Sequence, residues 1–170
     1  AALHAPSAAI CSPWEDSLAL AETAVRNGAE LDLNTQVIGL SPVDGGWLVT
    51  TDKGQMWARY VVNAAGVDCQ QIHELAAPQT FSIRPARGQY YLLDKGEGNR
   101  VGRVIFQCPN EKGKGVLVAP TVHGNLIVGP NSEPVEGEDT STTAAGLAFV
   151  RDKALKSVPS IQFNQSIRNF

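Results

Sequence analysis

Cysteine is scarce in this sequence: Cys11, Cys69 and Cys108 are the only three in 170 residues. They lie far apart with no C-x-x-C pair, so the clustered ligands of a structural zinc site are missing. They read as free thiols of a reducing compartment. The three histidines, His4, His73 and His123, share no metal spacing, and no serine or cysteine stands in a nucleophile-elbow context. Metal hydrolysis and triad hydrolysis therefore lack support. No apolar run approaches the roughly 20 residues of a bilayer span. The opening Ala1-Ala2-Leu3-His4-Ala5-Pro6 lacks the basic and apolar parts of a secretory leader, which makes a cytoplasmic location the expectation. It also lacks an initiating methionine, a sign of sequence removed upstream. Charge of one sign is missing too. Fourteen basic and 17 acidic residues are scattered, for a net charge of −3, which argues against a nucleic-acid partner or an anionic-membrane footprint.

What is present is an ordinary globular composition. The hydrophobic share is 43%, the charged share 18% and the mean hydropathy −0.11, values of a chain that buries a core. Ser12-Pro13-Trp14-Glu15 forms a capping box with proline at the first helical position. Trp14, Leu18, Ala21 and Val25 then recur as one apolar stripe, and Asn27-Gly28 supplies a stop. Short β runs follow at 30–33 and 36–40. Residues 47–51 and 56–62 read as a hairpin turning through Asp52-Lys53-Gly54, entered from Asp44-Gly45-Gly46. A seam at 75–78 precedes a β-rich part, with strands expected at 89–93, 103–106, 116–120 and 126–129. Val122-His123-Gly124-Asn125 joins the last two. An acidic loop at 133–140 leads to a second helix over 142–157, with Leu147, Val150, Ala154 and Val158 on one face and Pro159 as its stop. Residues 161–170 begin a further strand. The fold class is therefore α+β, mainly antiparallel sheet with two substantial helices.

Few motifs carry chemistry by themselves. Gly96-Glu97-Gly98 with Gly102 loosely imitates a phosphate-binding fingerprint, but the strand-like Arg103-Val104-Ile105-Phe106 follows it where a helix is required. It reads as a loop. Gly113-Lys114-Gly115 is a turn without the Ser/Thr or helix of a phosphate loop; Lys112 or Lys114 could still approach an anion. Asn63-Ala64-Ala65-Gly66 ends the expected strand at 56–62. Its near side-chainless positions allow close approach of a neighbouring backbone or of a ligand, and the local sequence does not choose between them. Arg87-Gly88-Gln89-Tyr90-Tyr91 opens the second sheet. Its bland reading is a turn glycine before good strand formers. Its functional reading pairs the Arg87 guanidinium with a phenol from Tyr90 or Tyr91 to hold a carboxylate or phosphate.

In order along the chain, these motifs resemble the FAD-dependent oxidoreductase superfamily that includes D-amino-acid oxidase, glycerol-3-phosphate dehydrogenase and L-2-hydroxyglutarate dehydrogenase. The resemblance rests on Ala2–Pro6 with the stretch 10–15, on Asn27-Gly28-Ala29-Glu30-Leu31 with Thr35-Gln36-Val37, and on Val61-Val62-Asn63-Ala64-Ala65-Gly66. It continues through Arg87-Gly88-Gln89-Tyr90-Tyr91, the stretch 115–120, His123-Gly124-Asn125-Leu126 and Gly129-Pro130-Asn131. It spans essentially the whole chain, with the glycerol-3-phosphate-dehydrogenase and L-2-hydroxyglutarate-dehydrogenase members nearest in character.

The resemblance implies a two-domain flavoprotein. Residues 1–75 would be a partial FAD-domain segment and residues 76–170 the substrate-domain sheet and helix. It implies FAD contacts from the backbone at Val37 and from Ala64, Ala65 and Gly66, and a substrate pocket with Tyr90, Tyr91 and Arg87. The substrate would be a small anion, glycerol 3-phosphate or a 2-hydroxy acid, passing a hydride to flavin without a catalytic metal. Two departures stand out. The family's G-x-G-x-x-G strand–turn–helix and its glycine-hydrophobic-arginine stretch are not among these residues. Without the first there is no helix N-terminus for the pyrophosphate. The segment is thus expected to be inactive alone, to hold FAD weakly and to need the rest of its own FAD domain as partner. The alternatives are an amino-acid or amine oxidase of the same superfamily, or a non-catalytic binding module on this fold. The electron acceptor (oxygen, quinone or protein) and any peripheral membrane contact stay open.

Overall fold

The structure, a computed structural model, describes residues 2–109, 115–137 and 139–170. Lys112, Gly113 and Lys114 of the possible anion-binding turn lie outside the described residues. Among the described residues no helix is long and apolar enough to cross a membrane, and no cluster of His, Cys, Asp and Glu has the arrangement of a metal site.

The first helix, α1 (Pro13–Arg26), starts where the capping box places it. Ser12 Oγ accepts from the Glu15 amide at 3.4 Å and Ser12 O from Asp16 at 3.0 Å. Its apolar stripe is not buried: Trp14 is 74% exposed, and Leu18 and Val25 are exposed as well.

Residues 21–85 form one compact unit around a three-stranded antiparallel meander, β1 (Val37–Val43), β2 (Gly46–Thr51) and β3 (Gly54–Ala58). The β2–β3 hairpin pairs Thr51 with Gly54 and Trp47 with Ala58. Four expectations are corrected here. Residues 30–33 form no strand, and β1 runs from 37 to 43 rather than from 36 to 40. The third strand stops at Ala58, so residues 59–62 lead irregularly into Asn63. A short helix, α2 (Cys69–Glu74), follows a 3-10 turn over Gly66–Asp68 and was not anticipated. The β-branched run Val61-Val62 suggested a longer strand; those residues have no paired neighbour and face solvent. Burial is slight throughout this unit. Leu40, Val49 and Thr51 are its buried residues.

The second unit joins residues 1–20 to residues 86–170. A four-stranded antiparallel sheet in the order β6-β7-β5-β9 dominates it, from β5 (Tyr91–Leu93), β6 (Leu117–Pro120), β7 (Leu126–Gly129) and β9 (Ser166–Asn169). A two-stranded ribbon pairs β4 (Ala86–Arg87) with β8 (Glu133–Pro134). Helix α3 (Ala144–Ser157) packs on β7. The core lies between them: Leu93, Val118, Leu126, Val128, Val150 and Ala154 are all fully buried. Apolar residues two apart on a strand share a face, which explains how Val118, Leu126, Val128 and Leu93 all meet the helix. On the helix, Val150, Ala154 and Val158 are buried as the period predicts, with Gly146 in the place expected for Leu147. Residues 103–106 make only a single bridge, Ile105 to Val118, instead of a strand. The stretch 133–140 is not wholly loop, because its first two residues form β8. The glycine-rich decoy folds as a 3-10 turn, Lys95–Glu97, with Glu97 only 2% exposed and clasped by Arg100 at 2.6 and 2.9 Å.

Candidate functional site

Within residues 21–85, the residues matched to a cofactor lie on main chain that is open to solvent. Val37 begins β1, which is tied down by reciprocal bonds: the Gln36 amide to Asp52 Oδ1 at 2.9 Å, and the Asp52 amide to Gln36 O at 3.0 Å. β1 is an edge strand, paired with β2 on one side only among the described residues. Its outer backbone groups are therefore available to a ligand.

The turn after residue 62 is built by Asn63. Its Nδ2 donates to Cys69 O at 2.7 Å, and its Oδ1 accepts from the Ala65 amide at 3.3 Å. Gly66 takes φ +58, and a Cβ there would meet nothing within 4 Å. Ala64, Ala65 and Gly66 are all exposed. The positive φ favours glycine at 66, while the exposed Ala64 and Ala65 leave room for a ligand to approach. Asn63 and Leu40 line a common hollow of about 140 Å³, well below the ~300–1,000 Å³ of a typical ligand pocket. These residues fit the flank of a nucleotide cofactor. They do not enclose one.

In the second unit, Arg87, Tyr90 and Tyr91 do not form one pocket. Successive residues of a strand point to opposite faces. Tyr91 turns to the helix side, packs against the core and meets Phe163 edge-on at 4.8 Å. Tyr90 turns to the other face and stacks on Phe170 at 5.5 Å. Its ring lies against Gly129, where a Cβ would come within 2.6 Å of Tyr90 Cδ1. Tyr90 and Phe170 also exchange backbone hydrogen bonds of 2.7 and 3.2 Å. Burial pushes the Tyr90 phenol above its ordinary pKa, so it is a neutral donor and acceptor at physiological pH.

Arg87 is held within the protein. Nη2 donates to Glu133 Oε2 at 3.1 Å, and Nη1 donates to Asp139 Oδ2 at 2.7 Å and to Ser141 Oγ at 2.9 Å. The hydrogen bond to Glu133 is the main cause that holds the guanidinium above its ordinary pKa. Two carboxylates and a hydroxyl thus occupy its terminal nitrogens, while Nε is buried without a hydrogen-bond partner among the described residues.

The sequence reading missed the residues that join these parts. Gln89 is fully buried and binds Asn131, Glu133 and Thr143. The only local signal was a polar residue between Gly88 and two tyrosines. Thr143, which falls inside the helix expected over 142–157, is instead the N-cap of α3 and accepts from the Gly146 amide at 3.1 Å.

The chain is similar to known proteins in sequence and in fold. The chain is 45% identical over 170 residues to "Glycerol 3-phosphate dehydrogenase" of Caloramator mitchellensis, covering 99% of this chain and 35% of that protein. It is 32% identical over 120 residues to "Glycerol 3-phosphate oxidase" of Mycoplasma genitalium, covering 68% of this chain and 31% of that protein. Among solved structures, the FAD-bound L-alpha-glycerophosphate oxidase from Mycoplasma pneumoniae superposes with a TM-score of 0.78 at 27% identity, over 91% of this chain and 42% of that one. The chain thus spans about a third of the length of these two sequence relatives. The model of the family described as FAD dependent oxidoreductase matches residues 1–169. The open strand edge, the small-residue turn and the phenol-bearing sheet are therefore the parts of an FAD-dependent oxidoreductase, the family to which this chain belongs.

Proposed function

We propose that the chain is part of a flavin-dependent dehydrogenase or oxidase that oxidises glycerol 3-phosphate. The 45% identity to a glycerol 3-phosphate dehydrogenase along the whole chain carries this reading. FAD, when bound, supplies the hydride acceptor for turning a secondary alcohol into a ketone. The residues of this chain orient and surround. Backbone at Val37 and at Ala64, Ala65 and Gly66 would hold the nucleotide part of the cofactor. The Tyr90 phenol, neutral and fixed between Phe170 and Gly129, hydrogen-bonds the substrate at its hydroxyl or anionic end. Arg87 braces the acidic segment rather than the substrate. The segment alone does not turn over, and the intact protein works in the cytoplasm.

Anaerobic addition of glycerol 3-phosphate to the intact, FAD-loaded protein tests this. Bleaching of the flavin absorbance is expected, with 2-hydroxyglutarate and D- or L-amino acids leaving it yellow. Bleaching by one of those in place of glycerol 3-phosphate overturns the substrate assignment. A protein that never carries flavin overturns the enzyme reading.

A further inference from the structure

Gln89 is fully buried, yet no part of its amide is idle. Oε1 accepts from the Thr143 backbone N–H at 2.6 Å, and this donor fixes which end of the amide faces the helix. Nε2 then donates to Glu133 Oε2 at 3.1 Å and to Thr143 Oγ1 at 3.3 Å. The Gln89 backbone N–H donates to Asn131 Oδ1 at 2.7 Å, and Asn131 Nδ2 returns to Glu133 Oε1 at 2.8 Å. Side-chain space is absent around this ring of bonds. A Cβ on Gly146 would overlap the Gln89 amide, and one on Gly88 would come within 2.8 Å of Pro130. The next residue along the chain is Tyr90, on the opposite side of the strand.

A buried polar cluster of this kind is a poor way to add stability, because well-packed apolar groups of the same volume do as well or better. Its distinctive property is directional: each bond fixes an angle as well as a distance. The strand pairing with Phe170 sets Tyr90 from one side. The Gln89 amide sets it from the other, by clamping the chain to the N-terminus of α3 and to β8.

We propose that Gln89 is a positioning residue for substrate oxidation: through Thr143 and Glu133 it fixes the strand that presents the Tyr90 phenol. This rests on reading the chain as part of a glycerol 3-phosphate-oxidising flavoprotein. Gln89→Glu keeps the acceptor for the Thr143 amide and, while ionised, loses the donor and faces Glu133. Protonated, it has both functions of the native amide. Burial and the neighbouring carboxylate both favour the protonated form.

The test is the limiting rate of flavin reduction by glycerol 3-phosphate in the intact, FAD-loaded protein, followed across pH. Q89E is expected to lose at least tenfold at alkaline pH, where its carboxyl is ionised, with its FAD content unchanged, and to recover as pH falls through the raised carboxyl pKa. The wild type has no such recovery, and Gln89→Leu stays slow at every pH. In a Tyr90→Phe background the Q89E loss should largely disappear. A Q89E profile that superimposes on the wild type overturns the proposal, as does a full loss that persists without the Tyr90 hydroxyl. If Q89E does not fold, Gly146→Ala, which presses a methyl group onto the amide, should slow reduction, and an unchanged rate there also overturns it. A wild-type flavin that glycerol 3-phosphate cannot bleach defeats the functional reading instead, which separates the two failures.

Discussion

Tyr90 and Glu97 illustrate how much a residue's role depends on the face it occupies. Tyr90, just before β5, stacks on Phe170 away from the core; on the proposed reading its phenol meets the substrate, so Tyr90→Phe in the intact protein should lower turnover about tenfold or more while FAD content holds. Turnover equal to wild type removes Tyr90 from the site. Because burial raises its pKa, the pH–rate profile should show no inflection from this phenol below about 10. Glu97 is a structural counterpart. The Arg100 guanidinium, with help from the Gln162 amide, holds its carboxyl below the ordinary 4.5. A depressed folded pKa gives stability that is full above the unfolded value and is lost as pH falls through the folded one. Glu97→Gln should therefore be less stable than wild type at neutral pH, and the gap should close below about pH 4.5 in thermal melts. A gap that stays constant into acid contradicts the ion-pair account.

Among the elements, α3 is the one that holds the second unit together. Its buried side, Gly146, Val150 and Ala154, meets the sheet, and its N-cap Thr143 bonds both Gly146 and Gln89. Removing the cap with Thr143→Ala should cost about 1 kcal/mol in chemical denaturation, with Thr143→Ser restoring most of it. Equal stability of all three proteins would show that the cap oxygen is dispensable. Though its cap was not singled out, the same helix was legible in sequence because its period and proline stop are local signals. The strand expected at 103–106 was not, since alternation cannot report whether a partner strand is present along its length. Nor could the ribbon of β4 and β8 be read, because two residues on each side leave no period to detect.

At the scale of the whole molecule, residues 21–85 bury little of their own apolar surface. Met56, Trp57, Tyr60, Val62 and Val67 are all exposed, while Leu40 and Val49 are the buried hydrophobic residues of that unit. The cofactor-matched turn and strand edge are likewise open, beside a hollow of about 140 Å³. FAD titrated into the 170-residue segment should therefore bind only weakly, at a Kd above about 10 μM, because the helix N-terminus that normally meets the pyrophosphate is not among these residues. Stoichiometric binding at micromolar concentration, read by fluorescence quenching, would show that the shelf suffices.

The amino-acid sequence by itself determined the family, through motifs in order along the chain, and the two long helices and the tight β6–β7 hairpin, which depend on residues within a few positions of one another. It also marked Ala64, Ala65 and Gly66, since small size is written in the residue itself. Only the tertiary structure decided that Tyr90 and Tyr91 part to opposite faces, that Arg87 is claimed by Glu133 and Asp139, and that Gln89 clasps Thr143 from 54 positions away. Partners that distant meet through the sheet and helix between them, and no local pattern records which side chains will be there when the chain returns.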